Sequence, residues 1–453
     1  MCESNCFLLS AYTVDGINTN QSILDWIQTL NNTINVTIKK TTLLNTNWFY
    51  DEHSGQIVNE NRSFFQISGF KFGKIKQPIF IQNEIGYLGM LCRSIDGVLH
   101  FLVQAKIEPG NINKIQLSPT IQSTKSNFTQ AHGGNKPFYL DWFLNAEKHT
   151  IIVDQIQSEQ SSRFFGKRNR NIIIMLNENT KVEEYPSHKW VTLGQLKSFM
   201  RIDNLVNMDT RTVLSCIPFY KYDFTSILIE TPFTRSISHG NQPNILPELY
   251  RYINNYKMFC NDKQELLPLY ALNNWETIIN DDIEEFICKT GHPFKIVFCD
   301  ISIEGREIKH WGQPLFEAQG MATLGLFTRV NNGIQEYLIH AKPEAGCFDK
   351  IELGPTVQLE ATDNTLNEVE KIFIEHYTNN IGIKHNVMLS EEGGRFYHEQ
   401  NKNILIEITP NRIDNPPPGY WWCTYRTLNK LTQINNILNI QLRNLISLLE
   451  FNG

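Results

Sequence analysis

Gln77–Gln122, QPIFIQNEIGYLGMLCRSIDGVLHFLVQAKIEPGNINKIQLSPTIQ, aligns without a gap on Gln313–Gln358, QPLFEAQGMATLGLFTRVNNGIQEYLIHAKPEAGCFDKIELGPTVQ, at a constant offset of 236 residues. Of the 46 positions 18 are identical, among them Gln77/Gln313, Gly89/Gly325, Lys106/Lys342, Glu108/Glu344, Gly110/Gly346 and Pro119/Pro355. Chance does not produce such a run, so the chain carries one domain twice. The copies have diverged, and each serves as a control on the other.

The repetition extends further. Ser158–Phe165 matches Ser390–Tyr397 at an offset of 232, and at that offset Asn169, Asn171, Trp190 and Thr192 meet Asn401, Asn403, Trp422 and Thr424. Asn204, Asn207 and Arg211 likewise meet Asn436, Asn439 and Arg443, while Asn47-Trp48 and Asn274-Trp275 are weaker upstream counterparts. Ser236–Pro247, SISHGNQPNILP, has the composition of a connection. A boundary near residue 235 follows, giving copies over 1–235 and 236–453.

A length of 453 residues suits two or three domains, each able to bury a core. The net charge of −6 argues against nucleic acid as the main partner, since a phosphate-tracking surface needs a basic excess. No apolar run approaches the roughly 18 residues of a membrane helix, and Phe7-Leu8-Leu9 is too short for a signal peptide. The 9 cysteines form no CxxC pair and read as reduced thiols of a cytoplasmic protein.

Within a copy, strands precede helices. Leu99, Phe101, Val103 and Ala105 alternate with His100, Leu102, Gln104 and Lys106, predicting a strand with one buried face. Pro109-Gly110-Asn111 predicts a turn with glycine supplying positive φ, and Lys114–Gln122 a returning strand. Ile151–Gln157 and Asn171–Leu176 are further apolar runs of strand length. Leu193, Leu196 and Met200, then Leu205, Met208, Thr212 and Cys216, have helical spacing, with Thr192 and Asp203 as caps. The fold class is α+β: a mixed sheet with packed helices, made twice.

Gln104, Lys106 and Glu108 share one face of a strand ending at a turn, where a lysine and a carboxylate suit enolate stabilisation and proton transfer. An exposed ion pair is the plainer account, and both charges recur as Lys342 and Glu344. Arg163, Lys167, Arg168 and Arg170 place four positive charges within eight residues, close to Ser158, a set suited to a diphosphate or simply to a solvated face. In the second copy Lys167 becomes Glu399 and Arg168 becomes Gln400. His132 precedes Gly133 and Gly134, which let backbone approach a ligand, and the second copy has no such HGG. Asp209 and Thr210, flanked by Asn207 and Arg211, become Gln441 and Leu442. Ionisable equipment is thus concentrated in the first copy. No GxSxG elbow, Walker A loop, HExxH, dinucleotide-binding GxGxxG or convincing metal spacing occurs.

The words LVQAKIEPGNINKIQLSPTIQST, SNFTQAHGG, VDQIQSEQSSRFFGKRNRN, WVTLGQL and DNLVNMDTRTVLSC, in this order, resemble the NDP-hexose 2,3-dehydratase family over most of the chain. The resemblance implies action on dTDP-4-keto-6-deoxy-D-glucose in deoxysugar biosynthesis and two tandem Nudix-like domains. It also implies a homodimer and a nucleotide-sugar pocket in each domain, only one of them catalytic. The REXXEEXG helix that holds magnesium in Nudix hydrolases is missing from both copies, so neither metal nor hydrolase activity is expected. The implied elimination is redox-neutral and consumes no cofactor, and a downstream ketoreductase is the expected functional partner. Under this resemblance His132 or Glu159 is the base, Lys106 polarises the ketone and Glu108 serves the leaving group. Arg163, Arg168 and Arg170 hold the diphosphate, and Trp190 or Phe164 stacks on the nucleotide base. A diphosphate hydrolase and a non-catalytic sugar-nucleotide binder are the rival readings.

Overall fold

A computed structural model describes residues 3–62, 64–129, 136–222, 230–240, 242, 245–304 and 308–449. The first copy's larger sheet has seven strands. Its central path runs Thr150–Ser158, Arg168–Leu176, Gly86–Ile95, Val98–Ile107, His188–Thr192. Neighbours are antiparallel except Arg168–Leu176 on Gly86–Ile95, which run parallel. The second copy repeats the sheet as Ile383–Ser390, Gln400–Glu407, Thr323–Asn331, Ile334–Pro343 and Tyr420–Thr424, with the corresponding pair parallel. Gly89 faces Ile172 and Gly325 faces Ile404, so the registers agree.

Strand Val98–Ile107 is buried on both faces, where alternation predicted one. Phe101 and Val103 join a core shared by both copies, while Leu102 packs with Trp190 and helix Leu140–Leu144. Covering elements on each side make a sheet interior that tolerates few polar residues. The predicted strand over 114–122 divides at Pro119, which has no N–H to give a ladder. Ile115–Ser118 pairs with Val98–Ile107, and Ile121–Ser123 with Gly86–Ile95. Thr192 caps helix Leu193–Phe199 in a capping box with Gln195. Helix Met208–Ser215 is capped by Asn207 rather than Asp203, whose carboxylate accepts from Met388 N–H at 2.9 Å.

The connection expected over 236–247 is occupied by the end of helix Pro232–Ser238 and the start of helix Ile245–Phe259. Thr231 caps the first of these, and Pro232 starts it. Ser236 Oγ donates to Gln335 O at 2.5 Å and accepts from Tyr425 N–H at 2.7 Å. Ser10 Oγ, on helix Glu3–Tyr12, does the same with Leu99 O at 2.5 Å and Leu193 N–H at 2.9 Å. Helices Glu3–Tyr12 and Pro232–Ser238 therefore occupy equivalent places in the two copies.

Two smaller sheets exchange strands between the copies. Val36–Thr41 lies antiparallel on Phe294–Ile303 of the second copy, and Gln264–Leu267 lies antiparallel on Gln66–Phe72 of the first. The copies meet about an internal pseudo-twofold axis. Equivalent rings Phe80 and Phe316 stack with centroids 3.8 Å apart, and Phe164 and Phe396 meet edge to face at 5.9 Å. The equivalent helices Met208–Ser215 and Ile440–Ser447 also pack together. Gly110 N–H donates to Gly393 O at 2.7 Å and Gly346 N–H to Ser161 O at 2.9 Å. A Cβ on Gly110 would stand 1.5 Å from Phe396 O, and one on Gly346 would stand 2.0 Å from Phe164 O. Glycine is needed there for close approach of the other copy; Gly110 is not among the positive-φ residues, contrary to the turn prediction. Among the described residues no helix is long and apolar enough to cross a membrane.

Phe80 is wholly buried, so Phe80→Ala should cost about 3–5 kcal/mol in chemical denaturation. Combining it with Phe316→Ala should cost less than the sum of the two single changes, because they remove one shared contact. Additive losses would contradict the stacked pair.

Candidate functional site

The first copy holds a cavity of about 370 Å³ at the end of strand Val98–Ile107. Lys106 and Glu108 enter it from that strand end, Asp209 from the first turn of helix Met208–Ser215, and Lys167 from the approach to strand Arg168–Leu176. Lys106 Nζ donates to Gln122 O at 2.9 Å, and Gln122 Nε2 donates to Glu108 Oε1 at 3.0 Å. Asn207 Nδ2 donates to Gln122 Oε1 at 3.0 Å, tying the helix cap to the strand end. Lys106 Nζ and Glu108 Oε1 are 3.9 Å apart.

Burial dominates the ionisation of this cluster. It holds the Asp209 carboxyl well above the usual range, with Glu159, Glu392 and Glu108 adding to the rise and Lys106 opposing it. Glu159 lies one layer behind the cavity, its Oε1 accepting from Asn169 Nδ2 at 2.7 Å, and burial then Glu392 push it up to about 7. Burial lowers the Lys167 ammonium, which donates to Glu84 O at 2.5 Å. Asp209 and Lys167, displaced in this way and facing one cavity, mark a candidate acid–base site.

The second copy completes the wall. Glu392, Gly394 and Arg395 reach the cavity from the loop before strand Phe396–Tyr397, and Trp311 and Gln313 from strand His310–Ala318. Arg395 Nη2 donates to Gln82 Oε1 at 3.0 Å, and its guanidinium lies over the Phe64 and Phe65 rings at 4.6 and 4.3 Å. Trp48, Phe64, Tyr87 and Trp311 give the lining its aromatic surface.

The equivalent place in the second copy keeps the same frame. Lys342 donates to Gln358 O at 2.7 Å, Gln358 to Glu344 Oε1 at 2.5 Å, and Asn439 to Gln358 Oε1 at 2.9 Å. The lysine–glutamine–glutamate–asparagine network is therefore common to both copies, and the difference lies around it. Glu399 replaces Lys167, Gln441 replaces Asp209, Gln160 stands for Glu392 and Glu360 for Thr124. Arg163, the counterpart of Arg395, is 2% exposed and pairs with Glu360 at 2.9 Å. Glu399 beside it is raised to about 8 by burial, with Arg163 opposing. An Arg163–Glu360 ion pair thus stands at the place that Arg395 and Thr124 hold in the first copy.

The residues singled out in the sequence separate accordingly. Lys106, Glu108, Lys167 and Asp209 share the cavity, and Asn207 braces it. Arg163 belongs to the opposite copy's position. Arg168 lies over the Phe348 ring at 4.3 Å, and Arg170 pairs with Asp154 at 2.7 Å, so neither lines the cavity. Gln104 accepts from Ser118 Oγ at 3.4 Å, and Ser158 Oγ donates to Glu352 Oε2 at 2.8 Å. Thr210 Oγ1 donates to Leu117 O at 3.0 Å, and Arg211 to Val206 O at 2.7 Å and Ser390 O at 2.9 Å. Of these, Ser158 and Arg211 tie the two copies together, and Gln104 and Thr210 bond within the first. Trp190 packs in the core under Arg93, and Phe164 lies on the pseudo-twofold axis. His132, Gly133 and Gly134 lie outside the described residues. Gln82, Gln122, Asn169, Glu392 and Arg395 were not anticipated, although Gln122/Gln358 and Asn169/Asn401 are identical between copies.

A carboxyl raised in the native state keeps a proton that the unfolded chain has released. Its contribution to stability is complete below its ordinary 4.5 and is lost as pH rises through its native value, about 8 for Glu399. Glu399→Gln should therefore gain stability relative to the parent as pH rises from about 5 to about 8, and hold that gain above. Thermal midpoints measured across this range check it; a constant or shrinking difference would contradict the assignment.

A family model described as NDP-hexose 2,3-dehydratase matches residues 20–217 and 246–449, one match on each copy. The chain is 36% identical over 420 residues to a dTDP-4-dehydro-6-deoxy-alpha-D-glucopyranose 2,3-dehydratase of Saccharopolyspora spinosa, covering 89% of this chain and 85% of that protein. It is 34% identical over 420 residues to the enzyme of the same description from Streptomyces violaceoruber, covering 88% and 90%. With that from Amycolatopsis orientalis it shares 30% over 457 residues, covering 97% and 92%. With both copies matched and nearly the whole chain aligned, the protein belongs to the NDP-hexose 2,3-dehydratase family.

Proposed function

We propose that the protein is a lyase that removes water across carbons 2 and 3 of dTDP-4-keto-6-deoxy-D-glucose, yielding the 3,4-diketo-2,6-dideoxy sugar. The observation that carries this reading is one cavity lined by Lys106, Glu108, Lys167, Asp209, Glu392 and Arg395, in a chain whose relatives are described as 2,3-dehydratases of this sugar. The ketone at carbon 4 acidifies the hydrogen on carbon 3. Loss of that proton leaves negative charge on the carbon-4 oxygen, and the Lys106 ammonium, fixed by Gln122 O, is a preorganised counter-charge for it. Asp209, whose carboxyl burial raises well above the usual range, is suited to give a proton to the departing carbon-2 hydroxyl. Lys167 and Arg395 supply positive charge for the diphosphate, and the aromatic lining suits the thymine ring.

Elimination and tautomerisation leave the sugar's redox level unchanged, so hydride chemistry has no part in the step. The remaining expectations belong to the same reading: two Nudix-like units descended from one gene, a homodimer, a cytoplasmic setting and hand-over of the diketone to a ketoreductase. The mirrored network around Lys342 and the strand exchange support common descent of the two units.

Incubation with dTDP-4-keto-6-deoxy-D-glucose and a coupled ketoreductase should consume the sugar and trap the reduced product; no consumption would overturn the reading. In the same assay Lys106→Met and Asp209→Asn should each lower turnover about a hundredfold or more, while the mirror substitution Lys342→Met stays within about threefold of the parent. Equal losses in Lys106→Met and Lys342→Met would contradict a single working site.

A further inference from the structure

Glu392 lies on the second copy, between strands Ile383–Ser390 and Phe396–Tyr397, yet it lines the first copy's cavity. The loop that carries it is firmly seated. Gly393 O accepts from Gly110 N–H at 2.7 Å, Arg395 O from Phe316 N–H at 2.9 Å, and Glu392 O from Phe396 N–H at 3.0 Å. A Cβ on Gly393 would stand 2.9 Å from Glu108 Cβ and 2.2 Å from Asn111 Oδ1, so the loop is drawn against the strand end. A Cβ on Gly394 would stand 3.1 Å from Glu392 Oε1 and 3.4 Å from Glu108 Oε1. Both carboxylates therefore border one small space, next to Lys106.

The charges around Glu392 suit a proton acceptor. Burial raises its carboxyl, Glu108 adds to the rise, and Arg395, Lys167 and Lys106 hold it down. The ionised form is thus compensated but remains basic for a carboxylate. Half-buried, Glu392 is open to the cavity, whereas Glu159 is shut behind Asn169. The divergence between copies points the same way. The flanking positions are retained as Glu159/Glu391 and Arg163/Arg395, but the counterpart of Glu392 is Gln160, an amide that cannot take a proton.

We propose that Glu392 is the base that removes the carbon-3 proton, so that a residue of the second copy completes the first copy's active site. The inference rests on the dehydratase reading. The carbon-3 hydrogen passes to the Glu392 carboxylate, and its bonding pair forms the enolate with the carbon-4 ketone. As that ketone re-forms, the carbon-2 to oxygen bond breaks and hydroxide takes the Asp209 proton, leaving as water. Glu392 then returns its proton to carbon 2 while the carbon-3 enol hydroxyl gives its proton to Asp209. Both side chains end as they began, and the sugar has lost one water.

The test compares turnover of protiated and carbon-3-deuterated dTDP-4-keto-6-deoxy-D-glucose by the full chain. Glu392→Gln should turn over about a hundredfold or more slowly, with a large primary isotope effect because carbon–hydrogen cleavage has become limiting. Asp209→Asn, lacking the acid, should be slow with an isotope effect near unity. Glu392→Asp should restore part of the rate and shift the rising limb of the pH profile, which a purely structural residue would not do. Gln160→Glu should leave turnover unchanged. Parental rates in Glu392→Gln, or a slow reaction with no isotope effect in both Glu392 variants, would overturn the assignment while leaving an active parent enzyme. An inactive parent would instead overturn the dehydratase reading, and this inference with it.

Discussion

The stacking of Phe80 on Phe316, with centroids 3.8 Å apart, places equivalent residues of the two copies in van der Waals contact and so fixes the axis about which they pair. Around it, the close approaches at Gly110 and Gly346 lock each copy's strand end onto the other copy's loop. That loop holds Glu392 and Arg395 on one side of the axis, and Gln160 and Arg163 on the other. The composition of each site therefore depends on both halves. A substitution in that loop bears on the other copy's site, which gives a duplicated chain a way to make its two sites differ without rebuilding either fold.

The two sites share one frame and differ around it. The Lys106–Gln122–Glu108–Asn207 network has its full counterpart in Lys342–Gln358–Glu344–Asn439, with the same donors and acceptors. Charge is among the differences between the sites. In the first copy Lys167, Asp209 and Glu392 face open space. In the second, the buried Arg163 pairs with the partly exposed Glu360, with Glu399 beside it. Breaking such a pair would leave a charge buried without its partner, at a cost well above that of a surface pair. In the first site burial raises the carboxyls of Asp209 and Glu159, and part of that burial comes from the docking of the two copies.

Much of this was legible in the sequence because the chain is its own alignment. The repeat located the strand end with Lys106 and Glu108, the helix cap at Thr192, and the loss of Lys167 and Asp209 from the second copy. Contacts between the copies were not legible. Nothing local in Glu392 or Arg395 announces that they serve a cavity formed around Lys106, and the exchange of Val36–Thr41 for Gln264–Leu267 has no signature in composition. The arginine run misled for a related reason. Its members are close in sequence, but Arg163 crosses to the second copy's site, while Arg168 and Arg170 meet Phe348 and Asp154 elsewhere. Only Lys167 reaches the cavity.

A crystal structure with dTDP-glucose, which lacks the carbon-4 ketone and cannot eliminate water, tests the central claim most directly. A single working site built across the internal axis places the hexose ring against Lys106, Asp209 and Glu392, with the diphosphate toward Lys167 and Arg395. A hexose seated instead beside Lys342, Glu399 and Gln441, with the first cavity empty, would contradict it.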